Sequence, residues 1–469
     1  MKTHNCAIVA GSFDGPSMNP STRRSFVAAA SSSLALAQTP PSDQIRLGVV
    51  GIRGRGRDHY RNFAKIPGVR VAFLCDIDER LYGDAQAEIE KIAGYRPETF
   101  VDIRKLLERK DLDAVSIATP DHWHALHEIW ACQAGKDVYV EKPVSHNLRE
   151  GRKMVEAARK YNRIVQAGLN RRSENANKAG VKFVRDASQI GKVYRSKAVV
   201  FRPRLSIGRV QEASIPKGVN WDLFLGPAPY KAFTLNRFHY AWHYSWDTAT
   251  GEVGNNGVHA LDIVRWGLAK DVHPVKITCS GGHFEDNDSD QETPNYQNAT
   301  FEYADGTLAD LECTTLPSPQ LGGVSLGEFF YTAQGYTQSA DPAWKTTLAA
   351  FTPRTAPDTA AGVSNRANNI SFPQIAYKPG PAVPEWSSAE VSHFQNFINC
   401  VRSRKREELA CEILEGHMST SLCHLANIAF RTGRKLTFDP RTETFPDDKE
   451  ATALLTRKYR EPYVVPDRV

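Results

Sequence analysis

Between Ile45 and about Gly168 the chain alternates short apolar runs with stretches whose apolar residues recur at helical spacing. That alternation is what a parallel, doubly wound sheet requires. Leu47 to Val50, Val69 to Leu74, Ala114 to Ala118 and Val138 to Val140 predict four of its strands. Ala131 to Lys136 predicts a helix ending near Gly135, and Leu148 to Tyr161 another, after the Lys142-Pro143 turn. Beyond Asn170 the texture changes. Val193 to Phe201, Val275 to Cys279, Ala299 to Tyr303 and Thr307 to Thr314 predict strands of a larger, mostly antiparallel open sheet joined by long loops. Ser318 to Pro384, rich in Ala, Thr, Pro, Gly and Asn and weakly periodic, reads as an extended loop or irregular insertion. Ser388 to Val401 and Leu414 to Gly433 predict closing helices, and there is no internal repeat. The fold class is α/β: a doubly wound parallel sheet over 44–170, then an α+β domain over 171–469.

Chemistry gathers where the predicted strands end. Leu47 to Val50 runs into a turn bearing Gly51, Gly54 and Gly56, followed by a helix-like segment from Asp58. Strand, glycine turn and helix in that order leave backbone N–H groups free at a helix N-terminus, where the helix dipole favours a pyrophosphate. The second strand ends on Asp76, about 25 residues after Gly51 and close to the spacing of a ribose-binding carboxylate. The third ends in Thr119-Pro120 and the fourth in Glu141-Lys142-Pro143. These are the features of a dinucleotide site, to which Gly51, Ile52, Arg53, Gly54, Arg55, Gly56, Asp76, Thr119, Pro120, His124, Glu141 and Lys142 are assigned. Asp76 favours NAD over NADP by accepting from the 2′-hydroxyl, while nearby Arg80 leaves NADP open. His122 and His124 either line the nicotinamide side of the cleft or start the next helix.

Thr22-Arg23-Arg24-Ser25-Phe26-Val27 has the twin-arginine form, and an uncharged Ala/Ser/Leu stretch carries it to Ala35-Leu36-Ala37. This reads as a Tat leader over 1–37, and hence as a periplasmic or otherwise exported protein. The apolar run is too short for a permanent membrane span. Where free nicotinamide nucleotide is scarce, hydride taken from a substrate has no soluble pool to enter. The expectation is therefore a tightly held cofactor and a redox-neutral cycle.

Net charge changes this picture little. Lys+Arg number 59 against Asp+Glu 53 in 469 residues, a formal charge of +6. The one dense basic run, Arg402-Ser403-Arg404-Lys405-Arg406, gives way at once to Glu407-Glu408, so nucleic acid is not an expected partner. Cys6 lies in the leader and no CxxC pair follows, so neither zinc nor a redox pair is expected.

The order of motifs resembles the Gfo/Idh/MocA family (glucose-fructose oxidoreductase and inositol dehydrogenase) from about residue 45 to the C-terminus. The marks are Glu141-Lys142-Pro143, the segment from Gly254 through His259 to Asp262 leading into Arg265-Trp266, and the terminal Glu415-Gly416-His417 with Leu422 to Ala429. The last resembles exported members acting on carbohydrates. The resemblance implies an N-terminal Rossmann domain, a substrate-binding and oligomerisation domain, a homo-oligomer, and catalytic roles for Lys142 and His259. Lys142 would contact nicotinamide ribose and reacting hydroxyl, and His259 would take the hydroxyl proton. Many relatives carry an aspartate four residues before that histidine. Here the position is Asn255, which can orient the histidine or bind a hydroxyl but cannot carry a proton away. Arg53 likewise stands where the middle glycine of GxGxxG would be.

The segment Asn236 to Asp247, NRFHYAWHYSWD, combines aromatic planes with His, Arg and Asp, a composition suited to sugar C–H faces and hydroxyls or equally to packing beneath a long loop. His239, Tyr240, Trp242, His243, Trp246 and Asp247, with Arg172 and Arg202 and a possible contribution from Arg204, form the expected carbohydrate pocket. His239 and His243 lack a third ligand, so no metal is expected. The leading expectation is an NAD(P)-dependent oxidoreductase on a sugar, glycoside or polyol. Its alternative is an NAD-dependent glycosidase working by transient C3 oxidation, elimination and re-reduction. A third class is a binding protein that has kept the fold.

Overall fold

The computed structural model describes residues 43–285, 288–340, 343–350, 376–385 and 391–469. The twin-arginine segment and Cys6 lie outside them, as does part of Ser318 to Pro384. No helix among the described residues is long and apolar enough to cross a membrane.

The first sheet consists of β1 (Ile45–Val50), β2 (Val69–Cys75), β3 (Glu98–Phe100), β4 (Ala114–Ile117), β5 (Asp137–Val140) and β6 (Val165–Ala167). Their order is β3-β2-β1-β4-β5-β6, and every pairing is parallel. β4 and β5 are buried at every position, as strands covered by helices on both faces must be. Register places the site. Val50 pairs with Cys75 and with Ile117, and Ile117 with Val140, so Gly51, Asp76, Ala118 and Glu141 all emerge on one edge. The order in which strands are laid down reverses there, because β1 lies between β2 and β4, and such a switch point opens a crevice at the strands' carboxyl ends.

The expected helix over Ala131 to Lys136 begins ten residues earlier, at Asp121, and runs to Gln133. His122, His124 and His127 are all buried in it, so the polar histidines masked its apolar face. Helix Leu148–Lys160 starts where expected, with Asn147 accepting from the Glu150 N–H as its cap.

The second sheet has nine strands: β7 (Val193–Phe201), β8 (Lys276–Gly282), β9 (Tyr296–Glu302), β10 (Leu308–Thr314), β11 (Leu326–Thr332), β12 (Gly335–Ala340), β13 (Ala343–Ala350), β14 (Ala376–Pro379) and β15 (Leu436–Thr437). Their order is β14-β13-β12-β11-β7-β10-β9-β8-β15, antiparallel except for β7 with β10. β11 to β14 correct the expectation of a loop over Ser318 to Pro384. One cause is Glu328, a fully buried charge in the middle of β11 that breaks the apolar alternation and is bonded to Arg171. Thr337 and Thr346 face each other across β12 and β13 with hydroxyls 3.0 Å apart, so here polar residues do the pairing.

Helix Ile413–Thr432, buried from Gly416 to Ala429, packs in the core between helix Leu148–Lys160 and β8. Because it touches both sheets, the second sheet is anchored to the first through one continuous apolar cluster. Arg159 grips Glu412 at its start with two bonds of 2.6 and 2.9 Å.

Candidate functional site

A cleft of about 330 Å³ opens at the carboxyl ends of β1, β2, β4 and β5. Gly51 (φ +78°) turns the chain away from β1, and a Cβ there would sit 2.7 Å from the Ala118 oxygen. At Gly56 a Cβ would lie 1.7 Å from the Gly51 oxygen, so only glycine lets helix Arg55–Phe63 begin this close to the strand. Gly54 (φ +54°) stands at the N-cap with nothing within 4 Å of its would-be Cβ and no side chain capping the helix. A narrow glycine cradle, open above and ending on an uncapped helix of nine residues, fits a dinucleotide pyrophosphate. The exposed Arg53 lines the mouth of that cradle.

Asp76 is held from two sides. Its carboxylate accepts the Ile52 N–H at 2.8 Å and the Asp78 N–H at 3.0 Å. Burial nevertheless pushes its pKa up to about 6. Arg80 is committed to Asp78 by bonds of 2.7 Å from Nε and from Nη2. Arg55 and Glu141, both assigned to the cofactor, are bonded to each other at 2.8 Å, and His59 Nε2 lies 2.8 Å from the same carboxylate oxygen. The Arg55 and His59 partners hold the buried Glu141 carboxyl well below its ordinary range against the opposing effect of burial. The trio pins the first helix to β5.

Lys142 follows Glu141 and precedes Pro143 through a cis peptide bond. Its ammonium donates to the Asn255 main-chain oxygen at 2.6 Å and to the Asn255 side-chain oxygen at 3.3 Å. Burial lowers its pKa, opposed by Glu141, Asp121 and Glu252. His124 lies between the carbonyls of Pro143 (2.7 Å) and Thr119 (2.8 Å), clamping the β4 and β5 ends together. Burial keeps it neutral, so one ring nitrogen donates at a time. His122 is placed similarly, with Thr248 and Phe224 oxygens at 3.2 and 2.9 Å. Both histidines are helical, and His124 also lines the cleft with Thr119 and Pro120. The Thr119 hydroxyl is buried without a hydrogen-bond partner among the described residues.

On the other wall, His239, Tyr240, Trp242 and His243 line the cleft from a 3₁₀ segment, His239–Tyr244. Trp242 stacks on His243 with centroids 3.6 Å apart. The other expected substrate contacts lie elsewhere. Arg172 is buried in an ion pair with Asp262, with three bonds of 2.8 to 3.0 Å, because a desolvated guanidinium needs a partner. Arg202 is exposed and off the cleft. Asp247 pairs with Lys231 at 2.6 Å, and Trp246 lies under Arg431 beside a separate small cavity. Arg204 sits over the Tyr240 ring at 5.5 Å.

Asn255 and His259 do not share a regular helical face. Asn255 lies in a π-helical turn, Val253–Gly257, which passes into the α-helix Val258–Gly267. The wider turn separates positions four apart that an α-helix would align. Asn255 lines the cleft, whereas His259 is half-buried outside its lining. The His259 Nδ1 atom has no hydrogen-bond partner among the described residues, and burial followed by the Lys142 charge drives its pKa well down.

Three acidic residues escaped the sequence reading. Asp121 follows Pro120 directly, lines the cleft, accepts from the Thr250 hydroxyl at 3.0 Å, and is pushed by burial up to about 7. Its place one residue beyond a strand-end Thr-Pro was the available signal. Glu252 is buried beside Asn255. Outside the cleft lining, Glu443 Oε1 lies 2.8 and 3.0 Å from His273 and His417 Nε2, a ligand-like trio in which Arg152 also grips the carboxylate. No sequence spacing links those partners.

Residues 45–169 match the Gfo/Idh/MocA "oxidoreductase family, NAD-binding Rossmann fold", and residues 205–319 and 382–465 match that family's C-terminal alpha/beta domain. A "Glycosyl hydrolase family 109 protein" of Shewanella sp. (strain W3-18-1) is 32% identical over 123 residues, covering 25% of this chain and 27% of that protein. The chain thus spans about a quarter of the length of the curated relatives it matches. Among solved structures, the WlbA dehydrogenase from Bordetella pertussis, in complex with NADH and UDP-GlcNAcA, is similar with TM-score 0.58 at 18% identity, covering 84% of this chain and 99% of that one. Levoglucosan dehydrogenase in complex with NADH gives TM-score 0.57 at 14% identity, covering 84% and 99%.

Proposed function

Because the chain belongs to the Gfo/Idh/MocA oxidoreductase family, we propose that it moves hydride between a ring carbon of a sugar, glycoside or polyol and a tightly held NAD. One observation carries this reading: the Lys142 ammonium stands in the same cleft as the glycine cradle and Asp76. The cradle and helix N-terminus would hold the pyrophosphate, and Asp76 would accept from the adenosine ribose. The bound nicotinamide supplies the hydride acceptor. Lys142 stabilises negative charge developing on the substrate oxygen, and His259, close enough to Lys142 for that charge to act on it, takes the hydroxyl proton. Tyr240, Trp242 and His243 give the sugar a flat wall with polar edges. Arg80 is already paired with Asp78, which supports NAD rather than NADP.

The second reading is a redox-neutral glycosidase, favoured by the relatives named glycosyl hydrolases. In that reading a bound NAD⁺ would supply the hydride acceptor for C3 while the C3 hydroxyl gives up its proton. A base would remove the acidified C2 proton as the C1 substituent leaves with a proton, water would add its hydroxyl at C1 and a proton at C2, and hydride and a proton would return to C3 and its oxygen.

Three further elements complete the proposal. Residues 1–37 act as a Tat leader delivering the folded protein to the periplasm or beyond. The regions 44–170 and 171–469 divide cofactor from substrate and assembly roles. A second copy covers the Phe329, Tyr331, Tyr336 and Tyr377 cluster on the second sheet, where Tyr377 is 65% exposed. The test incubates the purified chain with NAD⁺ and a panel of sugars, polyols and glycosides, following NADH absorbance and released sugar together. NADH formation supports the first reading, and sugar release without net NADH the second. Neither, from a chain that binds NAD⁺, overturns both.

A further inference from the structure

The Asn255 side chain is fixed at both ends. Its Nδ2 donates to Glu252 Oε2 at 3.2 Å and lies 3.3 Å from the Tyr240 hydroxyl, while its Oδ1 accepts from Lys142 at 3.3 Å. Turned end for end, the amide would set its oxygen against a carboxylate and its N–H groups against an ammonium. Glu252 and Lys142 therefore select one orientation between them. Glu252 is 5% exposed and is held in turn by Asn256 Nδ2 and by Arg204, whose Nη2 lies 3.4 Å from Oε1. A carboxylate this buried needs partners, and one of them is the amide that meets Lys142 in the cleft.

We propose that Glu252 is a positioning residue of the reaction centre: it orients the Asn255 amide towards Lys142 and supplies the negative charge, one residue removed, that keeps the Lys142 ammonium in place. This rests on the assignment of Lys142 to the reaction centre. The charged groups facing Lys142 are Glu141, Asp121 and Glu252, which favour its protonated form, and Arg55, which opposes it. The rings of His124, His243 and His259 are neighbours kept neutral by burial. Loss of the Glu252 charge lets Lys142 give up its proton at lower pH. The direction is the same whether Lys142 works as a charge or as a base.

The test needs neither substrate nor nucleotide. The full chain is acylated with limiting acetic anhydride across a pH series, and acetylation of the Lys142 peptide is quantified by mass spectrometry. Glu252→Gln should move the Lys142 labelling midpoint to lower pH. Glu252→Asp, which keeps the charge but draws it back from the amide, should give a midpoint between the two. Circular dichroism identifies which variants fold, and an unchanged midpoint in a folded one overturns the proposal. NAD⁺ affinity measured by calorimetry on the same samples tests the functional reading separately. A chain that fails to bind NAD⁺ but shows the midpoint shift removes that reading and leaves the role of Glu252 supported.

Discussion

The Ile52 N–H donates to the Asp76 carboxylate at 2.8 Å, tying the glycine turn after β1 to the end of β2. The proposed phosphate cradle and the proposed ribose acceptor are thereby held at a fixed spacing. With the Asp76 pKa near 6, NAD⁺ affinity should fall as pH drops through about 6, because a protonated carboxyl accepts a ribose hydroxyl poorly. Asp76→Asn should weaken binding roughly tenfold near neutral pH, about the worth of one charged hydrogen bond, and flatten that pH dependence. Calorimetry over the pH range checks both.

In the proposed reaction Lys142, which lines the cleft, acts on the charge that develops rather than on the nucleotide. Lys142→Met should therefore lower turnover by roughly 10²–10³ while changing NAD⁺ affinity little, as for other groups that stabilise a developing oxyanion. Parallel titration and initial-rate measurements separate the two effects.

Arg172 and Asp262 form a buried pair 90 residues apart in sequence. Removing one partner strands the other charge, so Arg172→Met should cost about 3–5 kcal/mol of unfolding free energy. Urea unfolding measures this. A substrate contact would instead raise KM and leave stability intact.

Asp121 gives a pH signature with a definite sign. Its pKa rises on folding from an ordinary 3.8 to about 7, so the native state prefers the protonated form. The stability this contributes is present below about 4 and is lost as pH rises through about 7. Asp121→Asn, which cannot ionise, should gain on the wild type steadily across that window. Comparing the two proteins isolates the effect from Glu150, also raised to about 7, and from His122 and His424, which burial holds near 3 and which act with the opposite sign. Thermal unfolding of both proteins from pH 4 to pH 8 reads it.

Much of the first sheet was legible because parallel strands covered on both faces read as unbroken apolar runs, and their ends carry the glycines, Asp76 and Lys142. The second sheet was legible in β7 to β10 and lost in β11 to β14. There Glu328 is paid for by Arg171, 157 residues away, a pairing that no local pattern announces. The arginines show the same limit. Residue type suggested hydroxyl binding for Arg172, and the partner that decides otherwise lies in another helix. Asn255 and His259, four apart in sequence, would share one face of an α-helix, but a π turn intervenes, which no local pattern announces.

The most direct measurement is to denature the purified protein and identify what it releases by chromatography and mass. Near-stoichiometric NAD⁺ or NADH is the result expected of an enzyme that holds its cofactor through a closed cycle. Protein that releases no nucleotide and does not bind added NAD⁺ would contradict the account at its centre.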